Sequence, residues 1–520
     1  MNGKLLDHEA VLLRIEAMMQ KAILSTADIA LCDRYAIEHG VAGTGLMENA
    51  GRAVAKAICQ RWAPRPTLIL CGPGNNGGDG YVVARYLRDQ GWPVTLASLV
   101  EPKALKDDAL WAYQQWSGDT RLASRARTED QALIVDAMFG AGLTRPLDGP
   151  AADLVRASNT ADAIRVAIDL PSGLSGDMSA LEGPVFHADL SVTFHRCKPA
   201  HFLQPGADLC GEVVLADIGI PNGWQAEITP VAYWNVSETW RQRLPCSGAD
   251  THKHQRGRLA VFSGPAGSTG AARLAAMAGL RTGAGLVTVV SPKNAMAENA
   301  EHLTAIMLRE AEVQAGDDLS ALRATSAVMG PAYGTGLTTR DQVLAALGGD
   351  TKMVLDADAL SSFEGHKDAL FAALRAEDVL TPHFGEFRRL FPGIALGPEN
   401  KIEIVREAAE KAGCVVLLKG ADTVIAAPGQ TPVVNTHASP VLATAGSGDV
   451  LAGLIAGLIA QGVDSFTAAC AGAWIHGDAG WRFGQGLVAE DLPGSVAETL
   501  RRLEASARRA EVYERLANRV

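Results

Sequence analysis

One local order recurs along the chain: a short apolar run, a turn rich in glycine or closed by a carboxylate, then a stretch of helical periodicity. It is read at residues 67–71, 93–96, 132–136 and 165–169, and again at 258–262, 327–329, 353–355, 379–380 and 415–418. Parallel strands need a helix-length crossover, so this alternation predicts α/β architecture with helices packed on parallel sheets. Ligands of such sheets sit beyond the C-terminal strand ends, which directs attention to the turns. A chain of 520 residues exceeds what one core usually serves, so two or three domains are expected. The rhythm lapses between Pro221 and Asp250, and a boundary is placed near residue 225.

Composition narrows the partners. A hydrophobic share of 48% with 20% charged residues is that of an ordinary folded protein. A net charge of -11 argues against binding nucleic acid, which relies on Lys and Arg neutralising phosphates, and no apolar run approaches a membrane span. Eight cysteines are scattered without a CxxC pair, as free thiols of a reducing compartment. Residues 1–20 carry charges and lack an apolar signal core, so they are read as an N-terminal extension of a cytoplasmic chain.

In the first half, the run 67–71 meets Gly72-Pro73-Gly74-Asn75-Asn76-Gly77-Gly78-Asp79-Gly80, with a helix expected from Tyr81. Strand, glycine loop, helix is a phosphate-cradling order, yet Asn75, Asn76 and Asp79 add polarity that suits a sugar, a cation or a reacting ring. Asp136 and Asp169 end two further runs, before Phe139-Gly140-Ala141-Gly142-Leu143-Thr144-Arg145-Pro146 and Pro171-Ser172-Gly173. Asp before Gly or Pro is also ordinary turn chemistry; three such ends together favour a site. Lys198 is placed to neutralise a ligand phosphate or Asp169, while His195 and His201 are assigned a surface or packing role.

In the second half, Ala443-Thr444-Ala445-Gly446-Ser447-Gly448-Asp449 leads into an apolar stripe at Leu451, Leu454, Ile455, Leu458 and Ile459. Free N–H groups at a helix start attract an anion. A carboxylate there would repel phosphate unless it holds a metal ion or takes a proton from a hydroxyl attacking phosphorus. The alternative is a glycine turn in which Asp449 merely favours the helix start. Lys419 and Gly420, after the run 415–418, suit a nucleotide phosphate or a solvated turn.

GPGNNGGDG, DAMFGAGLTRP, AIDLPSG and HRCKPAH, in that order over residues 21–222, resemble the NAD(P)H-hydrate epimerase domain, a Rossmann-like fold that interconverts R and S hydrates of reduced nicotinamide. RTGAGLV, LDADAL, TPHFGEF, LKGADT and GSGDVLAG, over residues 228–500, resemble the ribokinase-like superfamily, and within it the ADP-dependent NAD(P)H-hydrate dehydratase. The resemblance implies an extension at 1–20, an epimerase domain at 21–224 and a dehydratase domain at 225–520. It further implies that Asn75, Asn76, Gly77, Gly78 and Asp79 line the hydrate with Gly140, Ala141, Gly142, Leu143, Thr144, Arg145 and Pro146. Asp169 would be the acid/base group, and Asn76, Asp136 and Ser172 would hold K+. In the second domain Ala271, Gly334 and His383 would touch the hydrate, and Asp449 would be the base. Lys419, Gly420, Ala421, Asp422, Thr423 and Gly448 would hold ADP or ATP with Mg2+. Two departures stand out: His252-Lys253-His254 where the family has HKG, and Gly330-Pro331-Ala332 where it has GPG, the latter narrowing the pocket. The expectation is a homo-oligomeric metabolite-repair enzyme acting on NADH-hydrate and NADPH-hydrate. A ribokinase-like small-molecule kinase with a non-catalytic first domain is the rival.

Overall fold

Seven parallel strands form the first sheet: β1 (Thr67–Cys71), β2 (Val94–Ser98), β3 (Thr120–Leu122), β4 (Leu133–Ala137), β5 (Ile164–Ile168), β6 (Leu190–Phe194) and β7 (Glu212–Ala216). Their spatial order is β3-β2-β1-β4-β5-β6-β7. Every residue of β1 and β4 is buried, as expected of central strands covered on both faces. The order reverses between β1 and β4, and at such a switch point the two following loops part to leave a crevice. The structure is a computed structural model that describes residues 21–178, 182–245, 253, 255–394 and 401–517. The N-terminal extension, Cys246, His252 and His254 lie outside the described residues.

Helix α1 (Thr26–Glu38) begins at a capping box in which Ser25 and Asp28 satisfy each other's backbone N–H groups, and α2 (Gly43–Arg61) follows. Helix α3 (Asn75–Asp89) starts six residues earlier than the sequence reading places it, so most of the expected glycine loop is its first two turns. Glycine is a poor helix former, but here packing overrides propensity. A Cβ on Gly77 would stand 2.0 Å from the Gly72 carbonyl oxygen, and one on Gly80 2.6 Å from the Ala137 Cβ. Helices α4 (Asp107–Gln114) and α5 (Gly149–Thr160) complete the longer helices of this unit. Strand β3 was not anticipated, because three residues at a sheet edge carry too little pattern.

The chain divides into two compact units between Ala232 and Tyr233. The second sheet contains β8 (Ala232–Trp234), β9 (Arg258–Phe262), β10 (Leu286–Ser291), β11 (Met307–Glu310), β12 (Ser326–Met329) and β13 (Lys352–Leu355). To these it adds β14 (Val379–Leu380), β15 (Val415–Leu418), β16 (Thr423–Ala426) and β17 (Val433–Asn435). The order is β8-β17-β16-β15-β14-β13-β12-β9-β10-β11, parallel except where β16 meets β15 and β17. Helix α6 (Gly270–Thr282) follows β9, α7 (Phe384–Leu390) follows β14, and α8 (Ser447–Ala460) and α9 (Ser465–Phe483) follow the sheet. The stripe read on α8 is buried, with Leu454, Ile455, Leu458 and Ile459 in one core with Val328 and Val354. Helices α6 and α8 cross closely, since a Cβ on Gly453 would meet the Ala275 carbonyl oxygen at 2.1 Å. Among the described residues no helix is long and apolar enough to cross a membrane.

Candidate active sites

At the switch point of the first sheet lies a cavity of about 660 Å³. The loop after β1 supplies Gly74, the start of α3 supplies Asn75, Asn76 and Asp79, and the loop after β4 supplies Gly140 to Arg145. Asp169 follows β5 at φ 65, a left-handed backbone that fixes where its carboxylate points. Lys198 Nζ donates to Asp169 Oδ1 at 2.6 Å, Thr193 Oγ1 donates to the same oxygen at 2.8 Å, and the Ala141 N–H donates to Oδ2 at 3.0 Å. Burial alone would raise this carboxyl; the Lys198 ammonium and these donors overcome it and hold the pKa at about 2. His201 Nε2 donates to the Asp169 carbonyl at 3.0 Å while its Nδ1 accepts from the Lys198 N–H at 3.0 Å. Burial and Lys198 push its pKa down to about 4, so it is a neutral strut. His195 and His201 are both buried, which removes the surface alternative, and His195 also lines the cavity.

Three more carboxyls, Asp33, Asp79 and Asp108, face the same space. Asp79 is 8% exposed, and burial with the charges of Asp169 and Asp33 raises its pKa well above the usual carboxylate range. Asp33, on α1, is pushed up to about 6 by burial, against Lys198 and with Asp169. Beneath them Asp136 is fully buried and accepts from the Ser172 N–H and hydroxyl at 2.7 Å each and from the Met138 N–H at 3.1 Å. No cation pairs with Asp136 among the described residues, and burial lifts its pKa to about 6 despite these donors. Asn76 Nδ2 is buried without a partner, so either end of that amide is free to face a ligand. Gly77, Gly78 and Pro146 do not line the cavity.

In the second unit the strand ends form a row. Ala271 stands in the first turn of α6 beyond β9, and Gly334 follows β12. Asp356 follows β13, His383 caps α7 beyond β14, and Lys419 follows β15. Lys419 Nζ donates to Asp356 Oδ1 at 2.6 Å. The ion pair lies against the start of α8: a Cβ on Gly448 would stand 3.4 Å from the ammonium and 3.7 Å from Asp356 Oδ2. Asp449 sits in the first turn of α8, where burial and the charge of Asp356 push its pKa up to about 6 against the pull of Lys419. Beside it a cavity of about 510 Å³ is lined by Lys419, Gly420, Ala421, Thr423 and Gly448, with Ser447 and His476 joined at 3.1 Å. Asp422 is buried off this cavity, and Ala271, Gly334, His383 and Asp449 are not on its wall.

Over 93% of this chain and 97% of its own length, the bifunctional NAD(P)H-hydrate repair enzyme of Moorella thermoacetica is 37% identical. The chain belongs to the bifunctional NAD(P)H-hydrate repair enzyme family. The repair enzyme of Salinibacter ruber is 35% identical over 90% of this chain and 94% of its own. The family described as YjeF-related protein N-terminus matches residues 43–200, and that described as NAD(P)H-hydrate dehydratase matches residues 259–502. A Bacillus subtilis NAD(P)H-hydrate dehydratase, crystallised with ATP and Mg2+, is 25% identical at a TM-score of 0.45, covering 52% of this chain and 98% of that one. The α/β class is as the sequence indicated, with one largely parallel sheet over the residues that each family model matches.

Sequence reasoning missed Asp33 and Thr193. Thr26, Ile29, Ala30, Asp33 and Ile37 of α1 all line the first cavity, one face at helical spacing. A carboxylate within that otherwise weakly polar stripe was the available signal. Of the six non-glycine residues with positive φ among the described residues, Asp169, His195, Ala332 and Ala357 border these two strand-end regions, so backbone strain gathers at the sites. Ala332, the departure from GPG, takes φ 52, a conformation that glycine would adopt without strain.

Proposed function

We propose that the first domain epimerises R NAD(P)H-hydrate through Asp169, and that the second dehydrates the S form with ADP through Asp449. The observation that carries this reading is the opposite tuning of the two aspartates. Asp169 is held ionised by Lys198 in a cavity at the switch point, and Asp449 is poised near neutrality at an anion-binding helix start. A base works best with a pKa close to the operating pH. Asp449 takes the proton of the ring hydroxyl as its oxygen attacks the terminal phosphorus of ADP, and AMP leaves. N–H groups of Gly446 to Gly448 stabilise the charge on the transferred group. The phosphate ester is a far better leaving group than hydroxide; the ring nitrogen expels it, and loss of a neighbouring proton restores the dihydropyridine.

Gly140 to Arg145, Asn75 and Asn76 bind the hydrate in the first site, and Ala271, Gly334 and His383 bind it in the second. Lys419 to Thr423 and Gly448 bind the nucleotide. The domain limits proposed remain 21–224 and 225–520. The oxygen-rich set of Asn76, Asp136 and Ser172 suits K+, because Asp136 is a buried carboxylate without a cationic partner and Asn76 has an unpaired amide. Bound K+ would supply that charge. Mg2+ commonly binds through one or two carboxylates plus substrate phosphates, and Asp356 would be its protein oxygen here, the ion neutralising charge on the phosphoryl group. A cytoplasmic location fits the seven described cysteines, all free thiols. Homo-oligomerisation is supported by the exposed apolar side chains Trp481, Phe483 and Val488.

The test is absorbance of reduced nicotinamide while the protein acts on mixed R and S NADH-hydrate with ADP and Mg2+. Wild type regenerates NADH from both epimers, Asp449→Ala gives essentially none, and Asp169→Ala consumes the S form and then slows to the spontaneous epimerisation rate. No NADH from wild type, with a phosphorylated small molecule released instead, would establish the kinase reading.

A further inference from the structure

The epimerase reading leaves Asp79, a carboxyl of the cavity wall, without a task. Asp79 makes no ion pair and no side-chain hydrogen bond among the described residues, although it is 8% exposed and lines the cavity. It lies one helical turn beyond Asn76 on the same face of α3. A Cβ on Gly140 would stand 3.1 Å from Asp169 Oδ2 and 3.2 Å from Asn76 Oδ1, so those two oxygens flank one spot on the wall. A ring placed there has Asp169 on one side and the α3 face carrying Asp79 within reach.

We propose that Asp79 is the second catalytic carboxyl of this cavity, giving a proton to the departing hydroxyl of the R hydrate while Asp169 accepts one from the water that returns. This inference rests on the epimerase reading above. The neutral Asp79 carboxyl protonates the hydroxyl, the carbon–oxygen bond breaks, and the ring nitrogen's lone pair forms the iminium as water departs. Water then adds to the opposite face of that carbon and loses a proton to the Asp169 carboxylate. One proton has moved from Asp79 to Asp169, and exchange with solvent resets the pair. The S to R direction uses the same groups with roles reversed.

The environment separates the two carboxyls in the required sense. Burial, Asp169 and Asp33 favour the neutral form of Asp79, whereas Lys198 keeps Asp169 ionised. The elements packed on α3 contribute few other titratable groups toward it. Cys71 of β1 is a buried thiol, Asp136 of β4 is tied to Ser172, and Asp108 of α4 lines the cavity. Glu48 of α2 is occupied by Arg85 and Tyr86.

The experiment follows R to S conversion of NADH-hydrate by chromatography without ADP, over pH 5 to 10, in wild type and Asp79→Asn. The expected result is a loss of at least about 100-fold in kcat with KM little changed, and disappearance of the alkaline fall in the wild-type profile. A thermal transition of the first unit unchanged from wild type reports that this unit of the variant is folded. Epimerisation by Asp79→Asn within about threefold of wild type, or slowed with the alkaline limb retained, overturns the assignment. If the variant does not fold, the wild-type profile decides: a rate flat to pH 10 overturns it, and a fall through a single group supports it. Absence of any epimerisation by wild type overturns the epimerase reading itself, a result distinct from an active Asp79→Asn.

Discussion

Lys198 is 1% exposed and spends its charge on Asp169, so its removal strands a buried carboxylate. Breaking a buried pair from one side costs about 3–5 kcal/mol. Lys198→Met is expected to lower the urea midpoint of the first unit at pH 7 and to raise the pKa of Asp169. The sign for wild type follows from a carboxyl depressed to about 2: its contribution is complete above its unfolded value of about 4 and is lost as pH falls toward 2. Urea titrations at pH 4 and pH 2.5 should therefore differ in wild type far more than in the variant. Asp449 has the opposite shift and a different readout. With its pKa near 6, ADP-dependent dehydration should rise with pH through about 6 and level off, because only the carboxylate accepts the hydroxyl proton. A rate already maximal at pH 5 would count against Asp449 as the base.

At the scale of elements, glycines set how closely helices approach. Gly77 lets α3 close on the end of β1, and Gly453 lets α8 close on α6; in both places a Cβ would strike a carbonyl oxygen. Gly77→Ala should destabilise the first unit by about 1–3 kcal/mol and abolish epimerisation while leaving dehydration, and Gly453→Ala should do the reverse. Separate thermal transitions, each read beside its own activity, check this. The early start of α3 carries the same lesson: propensity placed the helix at Tyr81, and packing space placed it at Asn75. Where a segment is a central strand, as at β1, β4, β9 and β15, buried on nearly every residue, the apolar run alone marked it. At the edge, β3 left no such mark.

For the whole molecule, the two matched families fall in separate compact units, each with its own core. Equal amounts of Asp169→Ala and Asp449→Ala chains should together regenerate NADH from R hydrate at a rate approaching that of half the wild-type concentration. The S hydrate made on one chain is then consumed on another. Recovery far below that level, with each single activity intact, would mean that the S hydrate passes between sites of one chain without release.

The α/β class, the positions of central strands, and the aspartates at strand ends were determined by sequence, because local apolar runs and turn residues report directly on burial and chain reversal. Asp169 and Asp449 needed only that. Their protonation did not follow from sequence: one aspartate after a strand and one in the first turn of a helix come to rest at about 2 and about 6. A lysine 29 residues away sits 2.6 Å from one. The other lies beside a second carboxylate whose own lysine comes from a different strand end. Asp33 joined the first cavity only when α1 packed around the switch point. Charge interactions depend on distance and dielectric, and both are set by how the chain folds back on itself.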